Sequence, residues 1–307
     1  MKIMNKLPLR SLLTPVTITL LSAGLLSSCG DSKKDEGTKD ELVETPDTVK
    51  TQVLNVGGQL FSVPSPIQTA LLIQKSGINY DKSVLSSSNK VNTLTTDFTR
   101  SLNLGIYGAD LGYVSLYNQT QDALGYLAAV KQLADKLGVS AAFDAPTMER
   151  IQKNVTNKDS MMVLVGIAFR QSDNYLKNNS RTNTSGLILT GGWIESMHFS
   201  LSAYKLKPNN EIKWRIAEQK LAINSLLKIL STNPAKEVVE LTAELSELAK
   251  IYDDIKFTYK FEKPTDDTIK KLTYINSTTE VSVTDEQIFK ISEKLKTIRE
   301  KIIGAHS

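Results

Sequence analysis

The stretch AKEVVELTAELSELAKIYDDI, residues 235–255, sets the fold class. Val238, Leu241, Leu245, Leu248, Tyr252 and Ile255 recur at steps of three and four, the period that gathers side chains on one face of an α-helix. Asn233-Pro234 precedes it, and a residue before proline is pushed out of the helical region, so a helix boundary is expected there. On the other side of that boundary, the run from Pro208 to Leu230 places Ile212, Ile216, Ile223, Leu226, Leu227 and Leu230 on one face. Two amphipathic helices with a short connection pack as antiparallel neighbours, which is the hairpin unit of a bundle.

Working outward, the same period recurs. Ala123, Leu124, Leu127, Val130, Ala134 and Leu137 form one stripe, closed by Gly138. Ser65-Pro66 reads as a capped helix start running to about Ser76, with Gly77 as its stop. Asn89 to Tyr117 is long and nearly uncharged, and Gly105, Gly108 and Gly112 predict two helices or a kinked one. Asp144 and Asn157 each stand where a side chain caps a following helix, the second reaching Leu176. Its stretch Met161 to Phe169 is apolar all round, which predicts a central, surrounded helix. Thr184 to Tyr204 is again poor in charge and holds Gly191-Gly192. After Ile255 the period changes to two: Phe257, Tyr259 and Phe261 alternate with polar residues, and Thr273–Ile275 and Thr279–Val283 look similar, with Asn276-Ser277 as a turn. Thr284 and Gln287 form a capping box before a last helix carrying Ile288, Ile291, Leu295, Ile298 and Ile302. The expectation is an all-α, mainly helical protein. It would be a multi-helix bundle of antiparallel helices with a small antiparallel β-hairpin insertion near the C-terminus, at about residues 256–283 of a single domain spanning 56–307.

The N-terminus is of another kind. Residues 1–10 carry Lys2, Lys6 and Arg10 and no acid; residues 11–28 carry no charge and hold Leu12, Leu13, Val16, Ile18, Leu20, Leu21, Leu25 and Leu26. These are the n-region and h-region of a secretory signal. It ends in Leu26-Ser27-Ser28-Cys29, which resembles a bacterial lipobox. Small residues before the cut would admit the peptide to a protease, and the Cys29 thiol would take the lipid. Two or three acyl chains, at about 0.8 kcal/mol per buried methylene, would hold a protein on a membrane. Residues 30–50 then carry seven acids and four bases with almost no apolar side chains, so 29–55 is expected to be a flexible charged tether. Within it, Lys34-Asp35-Glu36 is similar to the export signal of Bacteroidetes surface lipoproteins, and Asp47-Thr48-Val49 to that phylum's O-glycosylation site.

Composition narrows the chemistry. The formal charge of the 307-residue chain is +4, but without residues 1–28 it is +1, which gives no electrostatic reason to invoke nucleic acid. One cysteine and two histidines leave no disulfide framework and few metal ligands. No cofactor and no metal is expected.

Two stretches could carry chemistry. In Gly191-Gly192-Trp193-Ile194-Glu195-Ser196-Met197-His198, Glu195 and His198 stand three apart and share a helix face. Glu-x-x-His is half of a di-iron site, but His306 has Ile303 three residues before it, so the second half is missing. Glu195-Ser196 is similar to the Glu-Ser of helical lytic transglycosylases, without the downstream Gly-Leu-Met-Gln element of that family. The plainer reading has Trp193 filling core and the two glycines admitting a neighbouring helix. In the second stretch, Tyr107, Asp110, Tyr113 and Tyr117 follow at three, three and four, and could line a ligand groove together with Trp193, or pack as helix core. No Gly-x-Ser-x-Gly elbow occurs.

The lipobox, the acidic tether, Ser65-Pro66, NLGIYGADLGY at 103–113, NKDSM at 157–161 and GGWIE at 191–195 together resemble a family of Bacteroidetes lipoproteins with no assigned activity. The resemblance implies a helical domain in the cell envelope and nothing catalytic. A lipid-anchored outer-membrane lipoprotein is expected, facing the periplasm or the cell surface and binding an envelope protein partner or a small ligand. The competing expectation is a carboxylate-dependent, glycan-directed hydrolase using Glu195 and Asp110. That requires the two acids to converge in an open cleft.

Overall fold

The computed structural model describes residues 52–56, 59–63, 66–143, 145–269 and 271–304. The signal sequence, the lipobox with Cys29, most of the tether, the Ser65 and Asp144 caps and His306 lie outside the described residues. The chain divides into two units: a helical unit, described over 52–256 and 281–304, and a β unit, Phe257–Glu280.

The helical unit opens with strands β1 (Gln52–Val56) and β2 (Gln59–Val63), paired antiparallel with Val56 opposite Gln59. The tether expected to reach residue 55 therefore gives way to a hairpin at Gln52. The cause is visible in QVLNV and QLFSV, two β-prone runs joined through Gly57-Gly58, the dipeptide of tight two-residue hairpins.

Helices α1 (Pro66–Lys75), α2 (Asp97–Leu116), α3 (Thr120–Lys136), α4 (Ala145–Lys153) and α5 (Lys158–Asn178) follow, then α6 (Thr182–Leu206), α7 (Asn210–Ala217), α8 (Gln219–Leu230), α9 (Lys236–Asp253) and α10 (Asp285–Gly304). Their ends follow local chemistry. The Asn157 side chain accepts from the Ser160 amide at 2.9 Å and starts α5. Asn209 does the same for Ile212 at α7, 3.0 Å. At α10 the capping box is closed in both directions: the Gln287 amide donates to Thr284 Oγ1 at 3.1 Å and the Thr284 amide to Gln287 Oε1 at 2.8 Å. Gly77 and Gly138, with φ of 71° and 64°, take the left-handed conformation after α1 and α3. The run 208–230 is two helices, not one, with the break at Glu218.

The centre of the unit is α2 against α6, and this corrects two expectations. First, α2 is one 20-residue helix and not two. Its glycines mark close approach: a Cβ on Gly105 would sit 2.0 Å from the Ile188 carbonyl oxygen, and one on Gly191 would sit 2.0 Å from that of Leu102. The two backbones touch where only hydrogen fits. Mid-helix glycine costs about 0.5–1 kcal/mol in propensity, offset here by backbone packing. Second, the surrounded helices are α2 and α6, whose side chains are buried from Ser101 to Leu116 and from Ser185 to Met197. In α5, Val163, Ile167 and Phe169 are only half-buried, because neighbours cover that helix incompletely. Three hydroxyls inside the central pair are satisfied locally. Thr190, Ser196 and Ser115 each donate to the carbonyl four residues back, at 2.7–2.8 Å.

Residues 78–94, with short 3-10 turns at Lys82–Val84 and Ser88–Thr93, run back along α2 as an irregular strap. The helices hold it by its carbonyls. Tyr117 donates to Ile78, Tyr126 to Ser86, Tyr107 to Ser87, and Arg100 to Leu94, all at 2.5–3.1 Å.

In the β unit and at its edge, β3 (Lys256–Lys260) pairs with β6 (Thr278–Ser282), and β4 (Thr265–Asp267) with β5 (Leu272–Tyr274). The turn expected at Asn276-Ser277 does not join a hairpin. Asn276 Nδ2 donates to the Lys263 carbonyl at 2.8 Å and Ser277 Oγ to that of Glu262 at 3.1 Å, so both residues tie the outer ribbon to the inner one. Among the described residues no helix is long and apolar enough to cross a membrane.

Candidate functional site

Where α2, α6 and α10 meet, four titratable side chains come together. Glu195 is fully buried, and Arg299 of α10 is 7% exposed. Arg299 Nε donates to Glu195 Oε2 and Nη2 to Oε1, both at 2.6 Å, a two-bond fork in which guanidinium and carboxylate geometry match. Nη2 also reaches the Val84 carbonyl of the strap at 3.2 Å.

Asp110 of α2 is also fully buried. A carboxylate there finds no donor in hydrogen-bonding geometry at either oxygen, whereas its protonated form has an acceptor in Glu195. Burial first, and the Glu195 charge second, hold the Asp110 carboxyl well above the usual carboxylate range; Arg299 and the Ser86 amide oppose them only in part. The resulting unit is a neutral acid, a carboxylate and a guanidinium. It keeps the charge of this interior cluster balanced, which offsets part of the cost of burying Arg299.

The two acids thus converge, and they do so without an opening. The strap and the surrounding helices leave neither exposed. A glycosidase pair must reach a sugar on one side and water on the other, and this pair reaches neither.

His198 lies one turn along α6 from Glu195 and is half-buried. Burial, then the Arg299 charge, push its imidazole down to about 4, with Glu195 and the Val84 backbone drawing it part of the way back. It is neutral at physiological pH. On its other side, His198 borders a cleft of about 480 Å³ between α1, the strap, α2 and the C-terminal half of α6. Ile73, Ile78, Phe199 and Ala203 form its buried floor, beside Tyr113, whose ring stacks on Phe199 with centroids 4.8 Å apart. Asp81, Ser83, Ser202 and Lys205 stand higher on the walls. The volume is that of a small-molecule site.

The other sequence candidates are placed as follows. Trp193 is buried, and its Nε1 donates to Gln219 Oε1 at 3.0 Å, so it joins α6 to the start of α8. Tyr107 is buried with its hydroxyl on the Ser87 carbonyl, and Tyr117 holds the Ile78 carbonyl. Tyr113 borders the cleft and its hydroxyl accepts from the Asp81 amide at 3.2 Å. The four residues read as one row on α2 therefore do different work: three tyrosines fix the strap and Asp110 faces the interior. Sequence reasoning missed Arg299. The available signal was a cation four residues after Leu295 and next to Ile298, on the apolar seam of α10. It also missed the cleft, which is assembled from four separate segments.

Among the described residues no group of three or more His, Cys, Asp or Glu side chains could hold a metal ion. No protein-family model matches the chain, and neither does any curated protein or solved structure.

Proposed function

We propose that this chain is a lipid-anchored binding protein of the cell envelope, held at the outer membrane through Cys29, whose helical unit takes a small ligand in the cleft beside His198. The cleft carries this reading: about 480 Å³ of space with an apolar floor and a few convergent polar groups, the composition of a ligand site. The anchor rests on the charge and hydropathy of residues 1–29 and on the lipobox order, in line with the resemblance to Bacteroidetes lipoproteins. Tethering confines a binding unit near a surface and raises its effective concentration there. The hydrolase alternative has the meeting of Asp110 and Glu195 in its favour. Their full burial and the Arg299 fork weigh against it.

The protein isolated under native conditions from its own envelope should carry a small molecule visible by native mass spectrometry, and Ala203→Trp, which fills the floor, should not. Recovery of an empty chain crosslinked to another envelope protein would replace the small ligand by a protein partner. For the anchor, palmitate labelling should be lost in Cys29→Ala; unchanged labelling would remove it.

A further inference from the structure

The cleft is polarised. Its floor is buried and apolar, formed by Ile73, Ile78, Phe199 and Ala203. Its two charged residues, Asp81 and Lys205, differ in how they are engaged. Asp81 Oδ1 already accepts from the Ser83 amide at 2.8 Å and from Ser83 Oγ at 2.6 Å, so one of its two oxygens is engaged within its own turn. Lys205 is exposed and makes no hydrogen bond or ion pair with any described residue. Other lysines of this region are engaged: Lys82 with Asp122 at 2.6 Å, Lys207 with the Ser76 carbonyl at 2.9 Å, and Lys213 with Asp285 at 2.6 Å. The cleft therefore offers one uncommitted cation above an apolar floor. His198, neutral between them, adds a hydrogen-bonding group without adding charge.

We infer that the cleft binds an amphipathic organic anion, an acyl or aryl carboxylate, with its apolar body on the Phe199 and Ala203 floor and its carboxylate on the Lys205 ammonium. An amphipathic cation is disfavoured, because it would face the unpaired Lys205 ammonium, whereas Asp81 already accepts two hydrogen bonds from Ser83. This assignment of ligand class rests on the cleft being a binding site at all, and the test separates the two.

The full chain with Cys29→Ala is titrated with Nile red, a neutral apolar probe. The probe is then displaced by straight-chain carboxylates of six to twelve carbons and by the matching primary alcohols and amines. Carboxylates should displace it with an affinity that rises about fourfold per methylene until the floor is covered. Alcohols should be about tenfold weaker, and Lys205→Gln should abolish that difference while leaving Nile red bound. Amines that displace better than carboxylates overturn the assignment, as does a carboxylate preference that survives Lys205→Gln. Nile red bound but displaced by no carboxylate overturns it too, with the cleft standing. Nile red that fails to bind, or that binds Ala203→Trp and Ser202→Phe as well as the parent, removes the cleft itself. Circular-dichroism melts of both filled variants guard against loss of fold.

Discussion

Glu195 and Arg299 are 104 residues apart in the chain and meet through two hydrogen bonds of 2.6 Å, away from solvent. One sits on a central helix, α6, and the other on α10, the last helix among the described residues. The pair therefore fixes α10 against the central helices more specifically than the apolar seam of α10 does by itself. Removing one partner leaves an uncompensated buried charge, so Arg299→Met and Glu195→Leu should each destabilise the fold by about 3–5 kcal/mol. The double variant should cost clearly less than the sum of the two, because neither charge is then stranded. Urea unfolding of the four proteins measures this; additive costs would mean that the fork is not the source of the stability.

Asp110 gives that cluster a pH dependence of defined sign. Its folded-state affinity for the proton is raised, by burial first and by Glu195 second, so the unfolded chain releases the proton at a lower pH than the native protein does. The stability it contributes is fully present below the ordinary Asp value of about 3.9 and is lost as pH rises through the folded value. Asp110→Asn keeps the shape and a donor to Glu195 and removes the titration. Relative to the parent, this variant should gain stability as pH rises above 4, read as the difference between the two melting curves. A difference that does not change with pH would show that Asp110 is not held neutral in the native state.

Glycine positions separate helix propensity from packing. Alanine at Gly105 or Gly191 would drive a Cβ to 2.0 Å from a carbonyl oxygen of the facing helix, with backbone on both sides and no flexible side chain to yield. Each should destabilise by more than 3 kcal/mol or prevent folding, the cost of overpacking with backbone displacement. At Gly166 in α5 a Cβ meets nothing within 4 Å. There alanine should stabilise by about 0.5–1 kcal/mol through helix propensity alone. Thermal melts of the three single variants distinguish the cases, and a neutral Gly105→Ala would mean that the central helices are not in backbone contact.

These glycines also show what the sequence could and could not disclose. Periodicity and caps act within a few residues, so the helix over 236–253, the Asn157 cap and the Thr284–Gln287 box were legible from spacing. Gly191 was legible as a point where a neighbouring helix is admitted, and the structure places the Leu102 carbonyl there. Gly105 read as an interruption of its helix, and only the facing backbone turns it into a contact point. The hairpin at Gln52–Val63 was hidden for a similar reason, since it follows a charged run and its strands are short. Of the candidate site, Glu195, Asp110 and His198 were singled out by residue type and helical spacing. Their environment depends on Arg299, on the strap and on Lys205, which no sequence window contains together.

His198 titrates in the opposite sense to Asp110, although the same interior causes both shifts. Burial favours the uncharged form of each group, and the uncharged form of an imidazole is the deprotonated one. Its folded value is pushed down to about 4 from an ordinary value near 6.5. The stability it contributes is present above the ordinary value and is lost as pH falls from there to the folded one. The two groups therefore oppose each other: rising pH above 4 withdraws the Asp110 contribution while it restores that of His198. Ring-proton resonances of the imidazoles, assigned by comparison with His198→Asn, should show His198 unprotonated at pH 5.5. A midpoint near 6.5 in the free protein would show that His198 is open to water and that the wall between the cleft and the acid pair is not closed.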